Sequence, residues 1–164
     1  MPQWNPKDYG YDAVVQYWSQ RQQYKYRNLT LNDRVHLRFF GHESLENRRA
    51  KKKIPLKLSY EKLVKAFPFV PIRPDEYPSV FCDWDNTPRS VADGWLFEDC
   101  SPELFEELCF KAFEATSNKP GDEKIVIIKS WNEWAEGNYL EPDEKYGFGY
   151  LKALEKAIKR FKNI

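Results

Sequence analysis

The run Ile125-Val-Ile-Ile128 passes directly into Lys129-Ser-Trp-Asn-Glu-Trp-Ala-Glu-Gly-Asn-Tyr-Leu-Glu-Pro142. The first four residues are the most apolar run of the chain and are β-branched throughout, as a buried strand prefers. Acids, an amide and indole rings follow at once. In parallel α/β folds the site gathers at the carboxyl ends of buried strands, so this junction points to that fold class. Glu133 and Glu136 stand three residues apart. In a continuing strand they would point to opposite faces. In a helical turn they would share a face, with Cβ atoms roughly 5–6 Å apart. The pair can act together only if the strand ends near Asn132 and the chain turns, and Gly137-Asn138 supplies turn chemistry just after. The competing account is that both are ordinary surface charges at a strand end.

The flanking sequence supports the same class. Tyr11 to Trp18 and Tyr77 to Trp84 read as strands, the third strand covering about 124–131. Ser59 caps a helix whose apolar stripe is Leu63, Val64 and Phe67. Ser101-Pro-Glu opens the clearest helix: Ser101 is the N-cap, Pro102 takes the first helical position and Glu103 complements the dipole. Leu104, Phe105, Leu108, Cys109, Ala112 and Phe113 form its buried face. A final helix at about 147–162 carries Leu151, Leu154, Ile158 and Phe161 on one side. Strand and helix alternate, which is the parallel α/β pattern. Both polar-aromatic loops, Asp83–Arg89 and Asn132–Pro142, fall at strand ends. Residues 1–164 read as one domain. The strongly polar stretch at about 19–58 is expected to be a solvated loop or insertion; its basic run, Glu46-Asn-Arg-Arg-Ala-Lys-Lys-Lys53, leaves phosphate or acidic-membrane contact as the other account.

Composition narrows the partners. A net charge of +1 gives no bulk attraction to nucleic acid or membrane. No apolar run approaches the ~20 residues of a membrane span, and Met-Pro-Gln-Trp-Asn-Pro is not a signal peptide. Cys82, Cys100 and Cys109 are odd in number and lack CxxC spacing, so they read as reduced packing residues of a cytoplasmic protein. His36 and His42 have no ligand partner of matching spacing, and no phosphate-cradling glycine motif occurs, so neither metal nor cofactor is expected. Aromatic residues are abundant, with Trp 6, Tyr 10 and Phe 11. Trp84, Trp131 and Trp134 sit beside acids, where rings suit stacking on sugar faces or capping a barrel mouth.

Two carboxylates beside a sugar ring are the core of glycosyl-transfer chemistry. One is kept protonated for the leaving oxygen, and the other serves as base or nucleophile. Asn132 suits a sugar hydroxyl, and Arg89 an anionic group or a carboxylate. Glu141 is a third carboxylate. Asp83-Trp-Asp85 matches the D-x-D metal pattern of nucleotide-sugar transferases, but three residues specify little. Asn132-Glu133 also looks like the Asn-Glu pair of retaining barrel glycosidases, which would require Asp83 or Asp85 as nucleophile.

Trp84-Asp-Asn-Thr-Pro-Arg89, Ser101-Pro-Glu-Leu-Phe105, Trp131 through Pro142 and Tyr146-Gly-Phe-Gly-Tyr150 together resemble the C-terminal portion of the WbsX-type glycosyltransferase family, related to glycoside hydrolase family 99. The resemblance is firm over about 77–155 and loose over 9–18. It implies a (β/α)8 TIM-type barrel working on bacterial cell-surface polysaccharide such as O-antigen or capsule. By its motif Glu133 would deprotonate the sugar 2-hydroxyl, giving an epoxide-like intermediate, and Glu136 would be general acid and then base. Trp84, Asp85, Asn86, Arg89, Trp131, Asn132, Trp134, Tyr139 and Glu141 would line the substrate. The hydrolases usually carry His where this chain has Ala135, so their substrate contacts do not transfer. Transferase and hydrolase stay open, as do oligosaccharide and nucleotide-sugar as substrate. A complete barrel takes ~250 residues or more. The chain therefore reads as the last part of a barrel: a fragment, a remnant, or a chain completed by a second chain or homodimer. The alternative to an enzyme is a catalytically silent half-barrel that binds carbohydrate or a partner.

Overall fold

The computed structural model describes residues 6–16, 27–67, 73–90 and 94–163. In chain order its elements are β1 (Val14–Gln16), α1 (Leu31–Lys51), β2 (Leu56–Ser59), α2 (Tyr60–Ala66), β3 (Glu76–Val80), α3 (Thr87–Ser90), β4 (Trp95–Glu98), α4 (Pro102–Ala115), β5 (Ile127–Ile128), β6 (Asn132–Glu133), β7 (Asn138–Tyr139) and α5 (Gly149–Lys162). Short 3-10 turns cover Pro6–Tyr9, Gly121–Glu123 and Trp134–Glu136. The fold is mixed α/β. One parallel sheet has the order β1-β3-β5, with Val15 opposite Tyr77 and Val80 opposite Ile128. A second parallel pair, β2-β4, sets Leu58 opposite Phe97. The β6-β7 pair is an antiparallel hairpin. Among the described residues these sheets do not close into a barrel.

The core lies between the strands and α4, and α5 packs along α4. Phe105, Leu108, Cys109 and Ala112 of α4 are fully buried. Ala153 and Ala157 let α5 approach closely, and ring contacts Phe105–Tyr150 (5.6 Å) and Phe113–Phe161 (5.8 Å) fill the seam. Tyr60 of α2 is fully buried, packs edge-on against Phe81 and Phe97, and donates its hydroxyl to the Phe81 carbonyl at 2.5 Å. The start signals act as expected: Ser59 Oγ accepts the Lys62 N–H, Ser101 Oγ the Leu104 N–H. All three cysteines are buried free thiols, and burial pushes each of them up. No described helix is long and apolar enough to cross a membrane.

Several expectations are corrected. The stretch 19–58 is not simply a solvated loop, because it contains α1 and most of β2. Helix α1 escapes apolar periodicity because polar contacts anchor it. Thr30 Oγ1 accepts the Asp33 N–H at 3.1 Å, and Asp33 Oδ2 accepts the Thr30 N–H and hydroxyl at 3.2 and 2.9 Å. Burial opposes the Asp33 charge, but these bonds and Arg49 outweigh it and hold its carboxyl below the usual range. Arg27 bridges to Glu46 at 2.6 Å. Gly41, at φ 77, interrupts the helix. Strands β2 and β4 add two to the three expected. The expected strand at 124–131 contracts to Ile127–Ile128. Of Tyr11–Trp18, Val14–Gln16 is strand, while Tyr17 and Trp18 lie outside the described residues. In α5 the stripe runs through Tyr150, Ala153 and Ala157, with Leu151, Leu154 and Phe161 beside it, and Ile158 falls outside it at 37 % exposure.

Candidate active site

The chain turns after β5 as the glutamate spacing requires. Asn132 pairs with Tyr139 and Glu133 with Asn138, and Trp134–Glu136 form the 3-10 turn between them. Gly137 closes the turn at φ 57, where a Cβ would also meet the Asp85 nitrogen at 3.2 Å. The hairpin is fastened to the end of the β3 segment. The Asp85 N–H donates to the Glu136 carbonyl at 2.7 Å. Asn138, fully buried, donates from Nδ2 to the Asp83 carbonyl at 2.6 Å, and Ser130 Oγ donates to the Asn138 carbonyl at 2.9 Å.

The two glutamates have different surroundings. Glu133 is half-buried, and its side chain pairs with none of the described residues. Glu136 has 14 % side-chain exposure and two cationic partners: Arg89 Nη2 lies 2.8 Å from Oε1, Lys129 Nζ 3.3 Å from Oε2. The Lys129 ammonium also stands 3.9 Å from the centroid of the Trp84 ring. Arg89 holds a carboxylate, as its place in the sequence suggested, and that carboxylate is Glu136. Lys129 was passed over, although its place at the end of the β5 run marks it as site-facing.

The other expected residues divide into two sets. Trp131 and Trp134 are about half exposed, at 52 % and 49 %. Trp134 stacks on Tyr139 at 3.7 Å and donates its indole N–H to Glu141 at 2.7 Å. Asn132 is exposed beside them. These residues present rings and hydrogen-bonding groups to the outside. The second set faces inward. Trp84 is 7 % exposed and stacks on Trp95 at 4.6 Å, so it offers a ligand little free ring. Asp85 Oδ1 accepts from the Thr87 N–H and hydroxyl, which starts α3. Asn86 Oδ1 accepts the Trp95 N–H at 2.8 Å. The block Trp84-Asp-Asn-Thr-Pro-Arg89 thus carries Arg89 to Glu136.

Asp83 is a further acid at the same strand end. Burial pushes its carboxyl up, against hydrogen bonds from the Cys100 thiol and the Trp84 N–H. Tyr139 is also pushed up, by burial and by Asp143, which accepts its hydroxyl. Among the described residues no group of three or more His, Cys, Asp or Glu side chains is placed to hold a metal ion, and Asp85 of the D-x-D pattern is occupied by Thr87.

Comparison with known proteins gives the site a context. An 89-residue segment is 35% identical to the protein named WxcX of Xanthomonas campestris pv. campestris, described as uncharacterized, in strain B100 and again in strain ATCC 33913. That segment is 54% of this chain and spans 13% of the relative's length. No solved structure matches the chain. Residues 2–154 match the family described as Glycosyltransferase WbsX, so the match also covers the polar stretch 19–58. The chain belongs to the WbsX glycosyltransferase family.

Proposed function

We propose that this chain forms part of a carbohydrate-active enzyme that acts on bacterial cell-surface polysaccharide, with Glu133 and Glu136 as its acid/base pair. The observation that carries the proposal is the hairpin itself. It sets a carboxylate that is unpaired among the described residues and a doubly held carboxylate three residues apart, beside two half-exposed tryptophans, at the end of a parallel strand. Glu133 takes the proton of the sugar 2-hydroxyl as that oxygen attacks the anomeric carbon, and Glu136 gives its proton to the departing glycosidic oxygen. In the second half Glu136 takes a proton from water or an acceptor hydroxyl, which opens the intermediate at the anomeric carbon, and Glu133 returns its proton to the 2-oxygen. Atoms and charges balance over the two halves. Water as acceptor makes the enzyme a hydrolase, and a sugar hydroxyl makes it a transferase. Trp131, Trp134 and Tyr139 are the rings for stacking.

The parallel strands β1-β3-β5 with helices between them support the C-terminal part of a (β/α)8 barrel as the architecture. Within this proposal a second chain, a second copy or a longer polypeptide supplies the remaining strands. Three buried reduced thiols fit a cytoplasmic place of work.

The test is Glu133→Gln, assayed for turnover and, separately, for glycan affinity on bacterial surface oligosaccharides and α-mannosides. Turnover should fall about 10²–10⁴-fold with affinity retained. Unchanged binding in a wild type that turns nothing over even with the remaining strands supplied would instead establish the silent carbohydrate-binding reading, which the exposed Trp134–Tyr139 stack favours.

A further inference from the structure

Lys129 ends the apolar run and precedes the carboxylate motif, yet every contact of its side chain leads into the site. Its own N–H is fixed to the Val80 carbonyl at 2.8 Å by the parallel sheet. Its ammonium stands over Trp84 at 3.9 Å and reaches Glu136 Oε2 at 3.3 Å. Trp84 cannot drift, because it is buried, stacked on Trp95 at 12° interplanar angle, and Trp95 is pinned by Asn86. A cation over a fixed ring face is held in place without needing the carboxylate. This differs from Arg89, whose side chain is 63 % exposed and makes one contact to Glu136 from a single-turn helix.

We propose that Lys129 is a positioning residue that selects which oxygen of Glu136 meets the substrate. The inference rests on Glu136 being one of the acid/base pair. The two distances separate the oxygens. At 2.8 Å, Arg89–Oε1 lies within the ~2.7–2.9 Å range of a charge-assisted bond, and at 3.3 Å Lys129–Oε2 lies beyond it. Arg89 therefore retains Oε1. Oε2, under the ammonium but loosely bound, is the oxygen that exchanges a proton with the substrate, and Lys129 fixes the direction in which it points. Lys129 thus adds a side-chain link to the direct contacts, Arg89–Glu136 and the Asp85 N–H to the Glu136 carbonyl, that join the Trp84 block to the glutamate motif.

The experiment uses Lys129→Met, Lys129→Arg, Glu136→Gln and the Lys129→Met/Glu136→Gln double variant, with kcat, KM and the pH–rate profile on whichever oligosaccharide the wild type turns over. Misplacement of a reacting group predicts a kcat loss of about 10- to 100-fold for Lys129→Met with KM little changed and a displaced pH profile. Lys129→Arg, which keeps a cation for the ring face, recovers most of the loss. The double variant is no slower than Glu136→Gln alone. Wild-type kcat and pH profile in Lys129→Met, or additive losses in the double variant, overturn the proposal. Wild-type turnover in Glu136→Gln removes Glu136 from the pair and so overturns the acid/base assignment as well. Should the wild type turn nothing over, side-chain NMR decides the contact. Ammonium protons of Lys129 that exchange as fast as those of exposed Lys124, or that are unchanged by Glu136→Gln, overturn it. Slow exchange that Glu136→Gln abolishes supports it.

Discussion

At Asp83 burial and hydrogen bonding act in opposite directions, and burial prevails, so its carboxyl is raised. The unfolded value is ~3.9. The folded protein therefore holds this proton more tightly than the unfolded chain does. The stability contributed by this group is complete below about pH 4 and is lost as pH rises through the folded value. Asp83→Asn removes that dependence while keeping an acceptor for the Trp84 N–H. The variant should melt higher than wild type at pH 7, with the advantage shrinking toward pH 4. A difference that does not change between those two pH values in a series of thermal melts would refute the assignment. Residue by residue, the exposed part of the site was the legible part. Trp134 lies in the turn that the glutamate spacing anticipated, with half-buried Glu133 in the strand that enters it and exposed Trp131 just before that strand. Asp85 and Asn86 were less legible, because each meets a backbone amide (of Thr87 and of Trp95), and a sequence shows the side chain but not the amide it will meet. Lys129 was missed for a related reason: its significance comes from a ring and a carboxylate supplied by two different segments.

Among the elements, α4 was the most readable, although Phe110, outside the expected stripe, is buried while Leu104 and Phe113 are only partly so. Its cap, its proline and its apolar stripe are all local signals, and local structure obeys them. The hairpin β6-β7 was readable as a turn but not as strands, since two residues a side carry no periodicity. Its shape depends on Gly137. There φ is 57 and an added Cβ would stand 3.2 Å from the Asp85 nitrogen, whose hydrogen bond to Glu136 fastens the hairpin to the β3 end. Gly137→Ala should cost roughly 1–2 kcal/mol for the left-handed backbone alone. It should also move the Asp85 amide resonance and reduce turnover by more than its loss of stability explains. Wild-type turnover with an unmoved Asp85 amide would show that the hairpin tolerates a side chain there. Strands β2 and β4 were missed because four-residue strands flanked by polar sequence resemble loops until their partner is known. Helix α1 was missed because ion pairs and a capping box, not an apolar stripe, hold it in place.

Over the whole molecule, these differences in how elements are held imply differences in how easily they open. Helices α4 and α5 share a buried aromatic and alanine seam, and opening either one exposes that core. The first half of α1 buries little: Leu31, Val35, Phe39 and Phe40 are 78 %, 49 %, 71 % and 65 % exposed, and Gly41 breaks the helix just beyond them. Its anchors, Asp33–Arg49 and Arg27–Glu46, are charged contacts whose side chains, Glu46 apart, are largely shielded from solvent and so little screened by salt. Segments with few buried apolar contacts open locally, without unfolding the rest. Amide exchange under native conditions should therefore show two levels. Amides of Phe105 to Phe113 should exchange only through global unfolding and follow the global stability in denaturant. Amides of Val35 to Phe40 should exchange through a smaller opening, almost independent of denaturant. The candidate site should fall between them. Its strands are two residues long, but buried Asn138 and the Asp85 amide tie it to the β3 end. Exchange of α1 at the same free energy as α4 would mean that its exposed face is supported by contacts beyond the described residues, and would remove the basis for treating it as a separate unit.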